Sequence, residues 1–298
     1  ATNTSINNLG LLHHHAGEFE EAEKYYREGL ERSRRTMGEA HPDTLISINN
    51  IGTLMFEMGR NDDAIAALAE LVEVSTRVLG ERHADTLRAE HNLGYAYRTA
   101  KRLDEAETLV ARSLEGRRAV LGPDHPETLA SVNVLAIIRR DQGRAAEAEA
   151  GFREALEGRR RVLGSEHAIT LSTVENLAIL LREQEREADV ATVLSADEAS
   201  ARSVFTESSP VRLATWLSSL GRARVGMGYE AGGFPSAEAN LLEAHSLFVA
   251  ARGETHAQTT GCARVLVTLY EAWDAAEPEG GYAAKAAEWR ERAAAEEQ

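Results

Sequence analysis

The sequence predicts an all-α fold built from stacked helix pairs, and three observations carry that prediction. First, the turn Leu121 to Leu129 recurs with a fixed period. Gly38, Gly80, Gly122 and Gly164 are each 42 residues apart and lead into His41-Pro42-Asp43-Thr44, His83-Ala84-Asp85-Thr86, His125-Pro126-Glu127-Thr128 and His167-Ala168-Ile169-Thr170. A period of this size marks small units that bury their apolar faces only against their neighbours. Second, each period holds two apolar sets at helical spacing, such as Ile6, Leu9 and Leu12 followed by Ala22, Tyr25, Tyr26 and Leu30. Third, the chain is rich in Ala, Leu, Glu and Arg, with six prolines and 5% aromatic residues, which favours helix over strand.

Taken in order, the units are read as approximately 2–43, 44–85, 86–127, 128–169, 170–211, 212–258 and 259–298, forming one array over 1–298. In the first unit Ala16-Gly17-Glu18 separates the two helices, and Gly38 stops the second. His41-Pro42-Asp43-Thr44 starts the next helix, with Asp43 or Thr44 as the side chain that accepts from a free helical N–H. Units two to four keep this plan. A small residue recurs in the first helix (Gly10, Gly52, Gly94, Ala136, Ala178) and another in the second (Ala22, Ala64, Ala106, Ala148), which lets the two helices approach closely.

The fifth unit is less regular. Asp197 and Glu198 stand where earlier units have small or apolar residues, and Ser209 replaces the turn histidine. This unit is therefore expected to be the weak joint of the array. The sixth recovers the pattern at Ser218-Ser219-Leu220-Gly221, but its internal turn, from Gly228 through Gly232-Gly233 to Ala237, is read as an elongated, mobile loop. The seventh pair is split by Asp274 to Gly281. Its last helix, from Tyr282 to Glu296-Glu297-Gln298, has the polar outer face required of a cap.

The formal net charge is −15, from 33 basic and 48 acidic residues, which argues against nucleic acid or an anionic membrane as partner. Cys262 is the single cysteine, so no intrachain disulfide framework exists. No apolar run approaches a membrane span and no signal-peptide pattern opens the chain; a cytoplasmic location is the expectation. The chain opens at Ala1, in mid-register of the repeat, and is read as a fragment or processed chain.

The repeated Asn49 to Gly52, Gly59-Arg60, Glu105-Ala106-Glu107 and Leu121 to Leu129 resemble tetratricopeptide repeats of the 42-residue, kinesin-light-chain-like variety. The resemblance is strong over 2–180 and covers essentially the whole chain. It implies a right-handed superhelical α-solenoid of about seven antiparallel helix pairs, whose first helices line a concave groove for partner peptides. The closing segment, Leu269 to Trp273 with Ala286 to Arg290, resembles the end of repeat regions attached to bacterial serine/threonine kinases. That likeness implies the regulatory arm of a larger kinase.

The function expected is a non-catalytic scaffold for a protein or extended peptide, with neither a catalytic residue nor a cofactor. Groove residues implied by the family are Asn7, Asn49, His91 and Asn133 in one column and, seven residues on, Arg98, Arg140 and Arg182. The first column can donate and accept hydrogen bonds to a peptide backbone. The arginines suit carboxylates, and thus an acidic peptide, unless they pair with neighbouring acids such as Asp141 or Glu183. The alternative is a structural solenoid that self-assembles end to end into an oligomer or filament. No metal is expected. His41, His83, His125, His167 and His256 fall one per turn, in helices roughly 8–10 Å apart, and read as local hydrogen-bonding groups. His13-His14-His15 point in different directions and form a polar patch at the groove mouth.

Overall fold

The computed structural model describes residues 3–229 and 233–294. The expected start at Thr2, Gly232 of the elongated loop and the closing Glu296-Glu297-Gln298 lie outside them. Among the described residues there are fifteen α-helices: α1 (Asn3–His15), α2 (Phe19–Met37), α3 (Pro42–Glu57), α4 (Asn61–Leu79), α5 (Ala84–Thr99), α6 (Leu103–Val120), α7 (Pro126–Asp141), α8 (Ala145–Leu163), α9 (Ala168–Glu183), α10 (Glu187–Ala196), α11 (Glu198–Ser208), α12 (Pro210–Gly226), α13 (Gly233–Arg252), α14 (Ala257–Ala276) and α15 (Tyr282–Ala293). Helix contacts divide the chain into two compact units, Ala1–Ala155 and Leu156–Gln298.

In the first unit the small-residue columns are where the helices of a pair meet. A Cβ on Gly10 would lie 2.6 Å from the Tyr26 ring, one on Gly52 2.8 Å from Leu68, and one on Gly94 2.5 Å from Val110. Ala22, Ala64 and Ala106 on the facing helices are fully buried. The apolar cores span pairs. Ala22 and Tyr26 of α2 pack with Ile51, Leu54 and Met55 of α3 and Ala64 of α4. Leu45 and Ile48 of α3 pack with Leu68 and Leu71 of α4 and with Leu93 and Ala96 of α5. Each buried leucine contributes about 1.5–3 kcal/mol of transfer free energy. Much of that is realised between one repeat and the next.

The recurrent turn works through two devices. Gly38 and Gly80 sit at φ 88°, ψ 170° and φ 90°, ψ 160°, a region open essentially to glycine alone. The helix cap that follows is the histidine, which corrects the assignment to Asp43 or Thr44. His41, His83, His125, His167 and His256 each accept at Nδ1 from the backbone N–H two residues on, at 3.1–3.2 Å. Extended backbone at the histidine aims its ring at that N–H, and the cap leaves Asp43 already inside α3. Thr44 instead donates back to the Gly38 carbonyl at 2.8 Å.

In the second unit the fifth repeat departs from the expected single second helix. It breaks into α10 and α11 at Asp197, which is buried at 3% exposure and ion-paired with Arg160 of α8. Glu198 accepts from Arg202 at 3.0 Å and from Asn240 at 3.3 Å, and lies 3.7 Å from Arg224. Charge at this seam is therefore paired. Ser209 makes no side-chain cap. Gly233, expected in the loop, is the first residue of α13; a Cβ there would lie 2.7 Å from the Arg224 carbonyl oxygen. The terminal α15 is held by Trp273 stacking on Tyr282 at 4.2 Å and by Asp274 accepting from the Ala283 N–H at 3.0 Å. It buries Ala286, Trp289 and Ala293 only.

Candidate functional site

Residues three, four and seven apart share one helix face. In α3 this groups Asn49, Thr53 and Phe56; in α5, His91, Tyr95 and Arg98; in α7, Asn133, Ile137 and Arg140; in α9, Glu175, Ile179 and Arg182. First helices touch successive first helices at α1–α3, α5–α7 and α12–α14. This face is where the sequence placed the groove.

The first column is engaged across repeats. Asn7 Nδ2 donates to Ser47 Oγ at 3.1 Å, and Ser47 donates back to Asn7 Oδ1 at 3.2 Å. Asn92 donates to Asn49 Oδ1 at 3.1 Å. His91 Nδ1 is 3.1 Å from Ser131 Oγ, which also receives Arg117 Nη1 at 2.8 Å. Burial, aided by the Arg117 charge, pushes the His91 pKa down to about 3 and keeps the ring neutral. Asn133 is buried at 8% exposure and is also engaged. These side chains brace one first helix against the next, with only their remaining hydrogen-bonding capacity facing outward. The Ser131–His91 contact is no nucleophile, because Ser131 is fully buried beside a guanidinium.

The arginines meet different partners. Arg98 Nε donates to Asp141 Oδ2 at 2.7 Å and Arg140 Nη2 to Asp141 Oδ1 at 3.0 Å, so one carboxylate serves two guanidiniums. Arg98 lies 5.8 Å from the centre of the exposed Tyr95 ring, which packs on Phe56 at 5.5 Å. In the second unit Arg182 Nη2 donates to the Ser219 carbonyl at 3.0 Å and Nε lies 3.7 Å from Glu187. Burial holds the Arg182 pKa below its ordinary value, partly against the pull of Glu187.

One residue of this face escaped sequence reasoning. Arg222 continues the column Leu11, Thr53, Tyr95, Ile137, Ile179 after a one-residue slip, and it lines a depression beside Arg182. The slip is legible at Gly221, which stands 43 residues after Ala178, so realignment on that glycine finds it.

The histidine cluster is spread over different partners. His13 pairs with Glu18 and stacks on Tyr25, while His14 bonds Glu57 at 2.8 Å and meets Phe19 and Tyr26 edge-on. Among the described residues no group of three or more His, Cys, Asp or Glu is placed to hold a metal ion. Burial pushes the Cys262 thiol up to about 11, far from a reactive thiolate. No helix among the described residues is long and apolar enough to cross a membrane.

A tetratricopeptide-repeat model matches residues 2–76, 46–119, 85–150 and 128–193. No curated protein sequence matches the chain. Among solved structures, BtubC (BKLC) from P. vanneervenii is similar at TM-score 0.68 and 21% identity, covering 79% of this chain and 92% of that one. The nearly identical TPR-like repeats named for a kinesin light chain of Podosopora anserina match at TM-score 0.61 and 22% identity, over 68% and 96%. A Rap protein complexed with competence and sporulation factor matches at TM-score 0.59 and 11% identity, over 98% and 75%.

Proposed function

The chain belongs to the tetratricopeptide-repeat family, and from that premise we propose that it is a non-catalytic scaffold binding a protein or extended peptide along a concave face lined by its first helices. The observation that carries this reading is a braced, mixed surface in the first unit. Exposed Tyr95 rests on Phe56 with Arg98 beside it, above side chains already bonded from repeat to repeat. A surface ordered before the ligand arrives loses less entropy on binding. Two guanidiniums gathered at Asp141 suit an acidic peptide locally in a chain whose net charge is −15. Asn7, Asn49, His91, Asn133, Arg98, Arg140 and Arg182 are the proposed contact residues. The Rap relative, complexed with a factor, is a fold-level analogy for this use of stacked helix pairs.

The test is a titration of a labelled acidic peptide by fluorescence anisotropy at two salt concentrations. Arg140→Ala should weaken binding about tenfold, the loss of one charge-assisted hydrogen bond. Arg118→Ala, on α6 and paired with Glu154, should do little. Equal affinities for the two variants would remove the arginines from the ligand site.

A further inference from the structure

In the second unit, α9, α12, α13 and α14 enclose an open depression of about 260 Å³. Its rim carries two guanidiniums. Arg222 is exposed and has neither hydrogen bond nor ion pair among the described residues. Arg182 spends its Nη groups on Ser219, but its Nε–H is buried without an acceptor, since Glu187 at 3.7 Å is too far to accept it. Ser219 Oγ accepts from Arg182 Nη1 at 3.5 Å, which leaves its own proton free to donate. Gln258 lines the same space with its side-chain oxygen buried and unpaired. Half a turn of that amide brings an N–H₂ donor to the same place. Buried polar atoms without partners are rare in folded proteins and call for a ligand or another explanation.

A carboxylate takes one guanidinium fork on its two oxygens and keeps lone pairs for a further donor, but it carries a single charge against two guanidiniums. A phosphoryl group offers three terminal oxygens and about −1.5 to −2 charges. With Arg182 and Arg222 positive and Glu187 negative, the depression carries one net positive charge. Gly261 leaves it open, because a Cβ there would meet nothing within 4 Å.

We infer that Arg182 and Arg222, with Ser219 and Gln258, form a subsite for a phosphorylated serine or threonine side chain of a bound peptide. The subsite rests on the peptide-binding reading and names a ligand chemistry for the first-helix face of the second unit. It differs from the Arg98–Arg140 pair, whose charge Asp141 already shares.

The test uses small probes, so that its outcome does not depend on knowing a partner sequence. The full chain is titrated at low salt with N-acetyl-phosphoserine amide, N-acetyl-glutamate amide and inorganic phosphate, followed by ligand-observed NMR. The phosphoserine probe should bind about tenfold tighter than the glutamate probe, the difference of one or more charge-assisted hydrogen bonds. Arg222→Ala removes the free guanidinium, and Gly261→Leu fills the depression from a helical position with room for a side chain. Both should erase the preference while the melting temperature holds. Equal binding of phosphoserine and glutamate, or a preference that survives both variants, overturns the subsite. So does inorganic phosphate binding as tightly as the phosphoserine probe, which would mark a bare anion site. None of these failures touches the scaffold reading, which the acidic-peptide titration tests separately.

Discussion

The two units share their packing devices and differ in the fifth repeat. Within Ala1–Ala155 the helices of a pair meet at a glycine, filled by Tyr26, Leu68 or Val110, and Arg34–Glu70 and Arg118–Glu154 link successive second helices. Within Leu156–Gln298 the fifth repeat keeps Val190, Leu194 and Phe205 buried and pairs Arg160 with Asp197 in the same way, but its second helix is broken into α10 and α11. The difference teaches how much drift an array tolerates. Arg160 of the preceding repeat keeps the buried Asp197 paired where the helix breaks into α10 and α11.

The largest effect expected of this contrast lies in the apolar joint. Leu93→Ala should cost about 2–5 kcal/mol, since Leu93 is 4% exposed and packs in one cluster with side chains of α3 and α4. Denaturant unfolding measures it, and the loss should be insensitive to salt. An unchanged midpoint would show that the repeats are not coupled through Leu93.

At the charged seam Arg160→Ala should cost about 2 kcal/mol, the loss of a hydrogen bond to a charged group, because Arg160 itself is 38% exposed. Exposed charges are screened by salt, so added salt should shrink this loss and leave that of Leu93→Ala unaltered. The same salt response from both variants would erase the distinction between the joints.

A third measurement concerns pH. The His91 ring stays neutral in the folded chain down to about pH 3, because burial disfavours its charged form. The unfolded ring takes up a proton near pH 6.5. The unfolded state thus binds more protons between these values, so this contribution is complete above pH 6.5 and is lost as pH falls. Between pH 7 and pH 5 the loss is about 2 kcal/mol. His91→Asn, which restores the residue of Asn49 and Asn133, should remove that slope. Parallel pH profiles for the two proteins would place the ring in contact with water.

The smallest effect has the opposite sign. Lys101 and Glu185 hold φ of 63° and 58° where Gly17, Gly59, Gly143 and Gly228 stand in other intra-repeat turns. Lys101→Gly and Glu185→Gly should each raise stability by about 0.5–1 kcal/mol, the left-handed strain relieved less the greater freedom of unfolded glycine. Thermal melts of the pair test whether the two units bear the same local strain.

Much of the fold was legible because each device acts within a few residues of itself. The turn glycines, the helical spacing of Ile6, Leu9 and Leu12, and the small-residue columns are local requirements repeated often enough to be read. The cap was misassigned within that frame. Aspartate and threonine are the usual capping residues, and only the extended backbone at His41 puts the imidazole nearer the free N–H. The break at Asp197 was visible as an acid out of place, but not as an ion pair, since its partner lies 37 residues away.

By itself, then, the sequence determined the period and the pairing of helices, from the recurring turn, and which residues share the face of the first helices, from 3.6 residues per turn. The tertiary structure alone decided what those residues do with one another. Asn7 reaches Ser47, His91 reaches Ser131, and Arg98 and Arg140 converge on Asp141. Spacing assigns a side chain to a face, whereas a hydrogen bond of about 3 Å depends on how two helices some forty residues apart are set against each other. That placement is what leaves Arg222 without a partner beside Arg182.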